Sequence, residues 1–350
     1  MAPLLGLAML AATWGAKPGV PVLVVTGALL AGAVLSAVHH AEVVAHRVGE
    51  PFGSLVLAVA VTIIEVGLIV TLMTAGGEGT STLARDTVFA AVMITCNGIV
   101  GISLLFATLR HRTASFNAEG TASALATVAT LATLTLVLPT FTTSRPGPEF
   151  SAGQLAFAAL ASIALYALFV VVQTVRHRDY FLPVGVDAID PDAHAEPPSN
   201  RQAGVSLGLL VAALVAVVGL AKVESPAIED AVAAVGAPHT AVGVVIALLV
   251  LAPETLAAVR NARRNRMQVS FNLALGSAMA SIGLTIPVIA VASIWLEGPL
   301  VLGLGSTETV LLVITVAVTS LTVLPGRATL QESGVHLVLF GAFLFLAFIP

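Results

Sequence analysis

The sequence predicts an all-α polytopic membrane protein of about 11 transmembrane helices, arranged as an opening helix plus two inverted five-helix repeats. Three observations carry that expectation. Of the 350 residues, 57% are hydrophobic and 10% charged, against roughly 25% charged in globular proteins, so no water-facing surface can be assembled from them. The chain divides into apolar windows of about 20 residues, the length at which a helix crosses lipid with its backbone polar groups satisfied internally. One long polar interval, 176–201, separates five windows from the five that precede it after the opening one.

The opening window, 2–15, is short and runs into Lys17-Pro18-Gly19. No basic stretch precedes it as a secretory signal would require, so it is expected as an uncleaved span. Windows 19–38, 51–74, 86–109, 119–139 and 151–175 follow, separated by loops that hold Arg47, Arg85, Arg110 with Arg112, and Arg145. The polar interval carries Asp179, Asp187, Asp190, Asp192, Glu196 and several prolines, and serves as a solvated linker or as a gatherer of cations. Windows 202–221, 238–259, 268–295, 306–324 and 333–349 complete the chain. The expected organisation is an opening helix at 1–16, a first repeat at 17–175, an acidic linker at 176–201 and a second repeat at 202–350. Five spans per half is an odd number, so the second half enters the membrane from the opposite side, the inverted geometry of many secondary transporters.

Positive charge sets orientation. With alternate loops assigned to opposite sides, Arg47, Arg110, Arg112, Arg176, Arg178, Arg201, Arg260, Arg263, Arg264, Arg266 and Arg327 share one side, against Lys17, Arg85, Arg145 and Lys222 on the other. The first side is therefore expected to be cytoplasmic, with the N-terminus inside and the C-terminus external. The composition excludes a disordered chain and a nucleic-acid binder, since net charge is only -4 and no basic face is available. A single cysteine, Cys96, excludes a disulfide framework and a cysteine-rich metal site.

Two acids stand at membrane depth, where an ionisable group is costly and by default functional. Glu65 lies fourteen residues into the 51–74 window, and Glu254 follows Leu249-Val250-Leu251-Ala252-Pro253 in the 238–259 window. Counted as five plus five, they occupy equivalent second helices. The structural alternatives are a neutral, hydrogen-bonded Glu65 and a Glu254 that reaches toward the nearby arginines. Pro253 removes an amide donor and so frees a carbonyl, and a broken helix there would present oxygen ligands to cations.

The next helix in each half carries small and polar residues: Thr95, Asn97, Gly98, Gly101 and Ser103, then Ser270, Asn272, Gly276, Ser277, Ser281 and Gly283. Tight helix packing accounts for glycine and serine. Asn97 and Asn272 need hydrogen-bond partners in hydrocarbon, and their carbonyls suit hard cations. The segment from His39 to Glu50 lacks zincin spacing and reads as a solvated helix end, with proton sensing as the alternative. The Arg260 to Arg266 cluster reads as a topological anchor or a lipid-headgroup contact. Nucleotide loops and nucleophile elbows are absent from the sequence.

Two regions resemble the cation/proton exchangers of the calcium/cation antiporter superfamily, most closely the bacterial calcium (sodium, potassium)/proton antiporters. One runs from Gly49-Glu50-Pro51-Phe52-Gly53 to Glu65, an acid and a membrane glutamate fifteen residues apart; the other runs from Pro253-Glu254 through Arg264-Asn265-Arg266-Met267 and Leu273-Ala274-Leu275-Gly276-Ser277 to Pro287. The match is densest over 40–110 and 238–290. It departs where eukaryotic-type exchangers have Gly-Asn ahead of each glutamate and this chain has Val61-Thr62 and Val250-Leu251.

The resemblance implies that Glu65 and Glu254, one per repeat, hold either a metal cation or protons near the midplane. Thr62, Asn97, Asn272, Ser277 and Ser281 are expected to add oxygens, and Glu50 to stand at the cytoplasmic entrance. The expected activity is calcium export, with sodium or potassium as further cargo, against proton entry across a bacterial inner membrane. The alternatives are a monovalent cation/proton antiporter with little calcium transport, a cation channel that uses the acids as a selectivity ring, and a membrane-embedded enzyme or scaffold. No cofactor is expected, and lipid and the transported cations are the expected partners.

Overall fold

The computed structural model describes residues 1–16, 18–49, 52–75, 80–184, 198–234, 236–295 and 298–349, and it is almost wholly helical. The helices in order are α1 (Ala2–Thr13), α2 (Val20–Val48), α3 (Phe52–Ala75), α4 (Leu83–Met93), α5 (Val100–His111), α6 (Ala118–Ala132), α7 (Leu138–Phe141), α8 (Ala152–Val171), α9 (Asn200–Ala234), α10 (Thr240–Arg263), α11 (Met267–Ala292), α12 (Ser306–Val323) and α13 (Leu330–Phe348). Among the described residues ten helical segments are long and apolar enough to span a membrane, with α4–α5 and α6–α7 each counted as one. Strands β1 (Ala114–Ser115) and β2 (Arg327–Ala328) pair antiparallel and tie the α5–α6 loop to the α12–α13 loop.

Three expectations need correction, and the 86–109 span has an internal irregularity that hydropathy does not reveal. The opening helix has 12 residues, so its length is about 18 Å at 1.5 Å per residue, short of the ~30 Å hydrocarbon core. It stops where Gly15 takes a φ of 74°, a left-handed conformation that glycine adopts without strain. The 86–109 window is not a regular α-helix, because its middle widens to π geometry over Ile94–Ile99. The 202–221 window extends to Ala234, continuing through Pro226. Pro253 likewise leaves α10 unbroken from Thr240 to Arg263; neighbouring helices stabilise a proline-containing span that would break in water.

The inverted plan is visible in which helices meet. In the first half α3 packs on α11, and in the second half the corresponding α10 packs on α4. The π-interrupted α4–α5 rod meets the last helix, α13, while its counterpart α11 meets α8. The first helices of the halves, α2 and α9, lie against each other. Each half therefore supplies walls for the other's acid-bearing helix. Two apolar cores result, one around α4–α6 and α11, the other around α2 and α9, with α3 and α10 contributing to both. The outer faces expose side chains such as Leu160, Leu168, Val211, Val215 and Val313, a distribution that suits lipid and not water.

Glycine at crossings lets helices approach. A Cβ on Gly243 of α10 would stand 2.9 Å from the Thr87 backbone nitrogen and 3.0 Å from the Asp86 carbonyl carbon of α4, so the backbone itself would have to move. Gly243→Val is therefore expected to lower the thermal unfolding temperature of detergent-solubilised protein by several degrees, the overpacking cost being about 1–3 kcal/mol. Gly208→Ala, at an exposed site on α9 with nothing within 4 Å, is the control and should leave it unchanged. Equal melting of both variants would show that the α4–α10 crossing is not tight.

Candidate cation site

Helices α3, α8, α10 and α11 enclose a cavity of about 200 Å³. With a water's share of liquid volume about 30 Å³, it has room for a cation with several waters. Glu65 and Thr62 enter from α3, Glu254 from α10, and Asn272, Ser277 and Ser281 from α11. The spacing explains the convergence: Thr62 and Glu65 are three apart and Ser277 and Ser281 four apart, so each pair shares a helix face. Gly276 also lines the cavity and has nothing within 4 Å of where a Cβ would be, so its missing side chain leaves space. Gly283 works differently: a Cβ there would meet Tyr166 Cβ at 2.9 Å, and its absence lets α8 close the far wall.

The two acids are buried, at 4% exposure for Glu65 and 7% for Glu254. Ser281 Oγ donates a short hydrogen bond to Glu65 Oε1, fixing that carboxyl. By contrast, Glu254 Oε2 and Thr62 Oγ1 are buried without a hydrogen-bond partner among the described residues. Buried oxygens left in that state cost free energy unless a ligand or proton engages them. No ion pair among the described residues involves either acid, so their charge has no protein counter-ion in a mostly apolar enclosure.

The remaining sequence candidates fall in different places. Asn272 reaches the cavity rim, but its Nδ2 donates to the Phe181 carbonyl at 2.6 Å and its Oδ1 accepts from Gln268 Nε2 at 2.9 Å. Its amide thus ties α11 to the turn after α8. Asn97 does not line the cavity. Its Nδ2 donates to Thr315 Oγ1 at 2.9 Å, and its Oδ1 accepts from His336 Nδ1 at 3.2 Å. Thr322 Oγ1 donates to His336 Nε2 at 3.1 Å, so the π turn is stitched to α12 and α13. The packing reading holds for two of its neighbours, since Gly98 lies under Phe340 and Gly101 under His336 and Leu337. Glu50 lies outside the described residues.

Three polar groups escaped the sequence reading. Gln173 and Tyr166, both on the α8 rod, line the cavity, and a glutamine following Val170-Val171-Val172 was the available signal for the first. Glu224 is a further buried acid, at 7% exposure, with Oε1 unpartnered among the described residues. It stands in α9 beside Gly27 of α2, beyond the point where the 202–221 window was expected to end. Groups of three or more His, Cys, Asp or Glu with metal-binding geometry are absent among the described residues, so any cation in the cavity would rest on two carboxylates and on neutral oxygens.

Comparison with known proteins bears on this arrangement. Residues 19–175 and 205–349 match the sodium/calcium exchanger protein family. The chain is 49% identical over 331 residues, 95% of its length and 89% of the relative's, to y4hA of Sinorhizobium fredii, named only as an ionic transporter. It is 34% identical over 352 residues to the sodium-potassium/proton antiporter ChaA of Escherichia coli, covering 99% of this chain and 94% of that one. Its fold is similar to native YfkE, with a TM-score of 0.73 at 18% identity over 100% of this chain and 98% of the other. The H+/Ca2+ exchanger CAX is similar at a TM-score of 0.69 and 17% identity, over 99% and 90% of the two chains.

The separation of Asn97 from the cavity has a measurable consequence. Asn97→Ala would remove the amide bonds to Thr315 Oγ1 and to His336 Nδ1, at a cost of about 1–3 kcal/mol, and is expected to lower the unfolding temperature in detergent. Ser277→Ala, facing open cavity, should leave that temperature within a degree or two of wild type. Unaltered melting of Asn97→Ala would mean that the amide does not hold these helices.

Proposed function

The chain belongs to the sodium/calcium exchanger protein family, and from that premise we propose that it is a secondary active antiporter that exports a cation, calcium foremost, in exchange for protons. One observation carries the reading: two buried acids, one from each half of an inverted architecture, face the same cavity with no ion-pair partner among the described residues. A pair of bare carboxylates in such surroundings costs several kcal/mol per ion. Protons remove that cost, and so does a metal cation, but each excludes the other. Glu65 and Glu254 therefore bind cation and protons in competition, and the empty, doubly charged cavity is the species the protein avoids. Because reorientation of the unloaded, charged site is disfavoured, the two fluxes are coupled.

The residues support calcium as cargo within limits set by oxygen count. Calcium takes 6–8 oxygen ligands. Two bidentate carboxylates supply four, and the hydroxyls of Thr62 and Ser277 would raise the total to six, with water completing the shell. Ser281 positions Glu65, and Asn272 borders the rim, holding α11 in place. Glu50 is proposed at the cytoplasmic entrance. Alternating access follows from rocking of one bundle against the other around the cavity. Exchange of this kind needs no cofactor. The arginine-rich face is proposed to lie in the cytoplasm and the protein in a bacterial inner membrane, with its C-terminus external.

A second reading, monovalent cation/proton exchange with little calcium transport, is favoured by the 34% identical relative named for sodium, potassium and protons. A neutral Glu254 beside an ionised Glu65 would suit one monovalent charge.

Flux decides between them. In vesicles holding an imposed proton gradient and a trapped pH indicator, calcium, sodium and potassium are added separately; the proposal expects calcium to drive the largest proton movement. Glu65→Gln and Glu254→Gln should each abolish it while the protein still inserts. Exchange at the wild-type rate in either variant would refute their role, and cation flux without proton movement would indicate a channel.

A further inference from the structure

We propose that the facing ends of α5 and α10 form a binding site for a phosphate-bearing anion, remote from the cation cavity. Arg110 and His111 from α5 and Arg260, Arg263, Arg264 and Asn265 from the end of α10 surround a concavity of about 420 Å³. Topological anchoring explains why arginines end a helix, but not why two helices aim theirs into one hollow. Each helix C-terminus contributes roughly half a negative charge, so two of them offset only a fraction of four guanidinium groups. None of these arginines is in an ion pair among the described residues. Glu42 of α2 is near enough to feel Arg260 electrostatically, yet forms no ion pair with it.

The site is also held in shape. Arg263 lies over the Phe106 ring at 5.7 Å, and His111 Nε2 is 3.4 Å from the Arg263 carbonyl, to which it donates. The loop leaving α10 is a closed turn: Arg264 N donates to Asn261 O at 3.0 Å, Asn265 N to Ala262 O at 3.1 Å and Arg266 N to Asn261 O at 3.0 Å. Asn265 takes a φ of 60°, a left-handed conformation that asparagine tolerates. Guanidinium forks match phosphate oxygens bidentately, and basic hollows between membrane helices at a lipid interface suit anionic headgroups. The shared chemistry is a phosphoryl group, from a lipid headgroup or free in solution.

Thermal unfolding of the full chain in a neutral detergent tests the proposal, with phosphatidylglycerol, phosphatidylcholine and inorganic pyrophosphate each titrated in. The expected result is a rise of several degrees with phosphatidylglycerol and none with phosphatidylcholine; a rise with pyrophosphate alone would also support the site and identify a soluble ligand. Arg110→Gln with Arg263→Gln should abolish the rise, whereas Arg176→Gln with Arg178→Gln, exposed cations outside the hollow, should retain it. Should the first double variant not fold, Arg264→Gln alone is expected to weaken the apparent affinity severalfold. No rise with either anion in wild type, or an equal loss in both double variants, would overturn the proposal.

Discussion

Two acidic side chains share one small, largely apolar cavity with no basic residue paired to them among the described residues. Most of the architecture can be understood as what that requires. A carboxylate at membrane depth is tolerable only if something from outside engages it, so the walls must admit small ions while keeping lipid out. α3 and α10 carry the acids and contribute to both apolar cores, which places the charged centre at the junction of the two packed units. Rigid bodies that meet at such a junction can move relative to each other without exposing either core.

The inverted repeat supplies this arrangement economically. Each half contributes one acid helix and the wall opposite the other half's acid helix. The halves are not identical in detail. On the first side the crossing helix widens into a π turn and its amide is engaged by His336 and Thr315. On the second side α11 is regular and directs hydroxyls and a bare Gly276 face toward the cavity. Of the two equivalent small-residue helices, α11 lines the cavity, whereas the π turn of the other is braced against α12 and α13.

The acids were legible in the sequence because their cost is local: a glutamate inside an apolar window needs no tertiary context to stand out. Thr62, Ser277 and Ser281 were legible as hydroxyls set in otherwise apolar windows. Asn97 was recognised as needing partners, but which partners depends on His336, 239 positions away, and no local pattern encodes that. The π turn is equally hidden, since the composition of Ile94–Ile99 is that of any apolar helix with small residues. Helix ends were misjudged for a related reason. Hydropathy marks where lipid contact stops, whereas α9 continues past it because α2 and α1 cover its flank. Pro253 misled in the opposite direction, since a packed span absorbs a proline that local rules treat as a break.

Competition between metal and hydrogen ions for the same two carboxyl groups is the claim on which the functional account stands, and it can be read without transport. Calcium is added to purified protein in weakly buffered detergent solution while pH and bound calcium are followed together. The account predicts that protons are released in proportion to calcium bound, and that the release disappears when both acids are replaced by glutamine. Calcium binding with no proton release at any pH would contradict it.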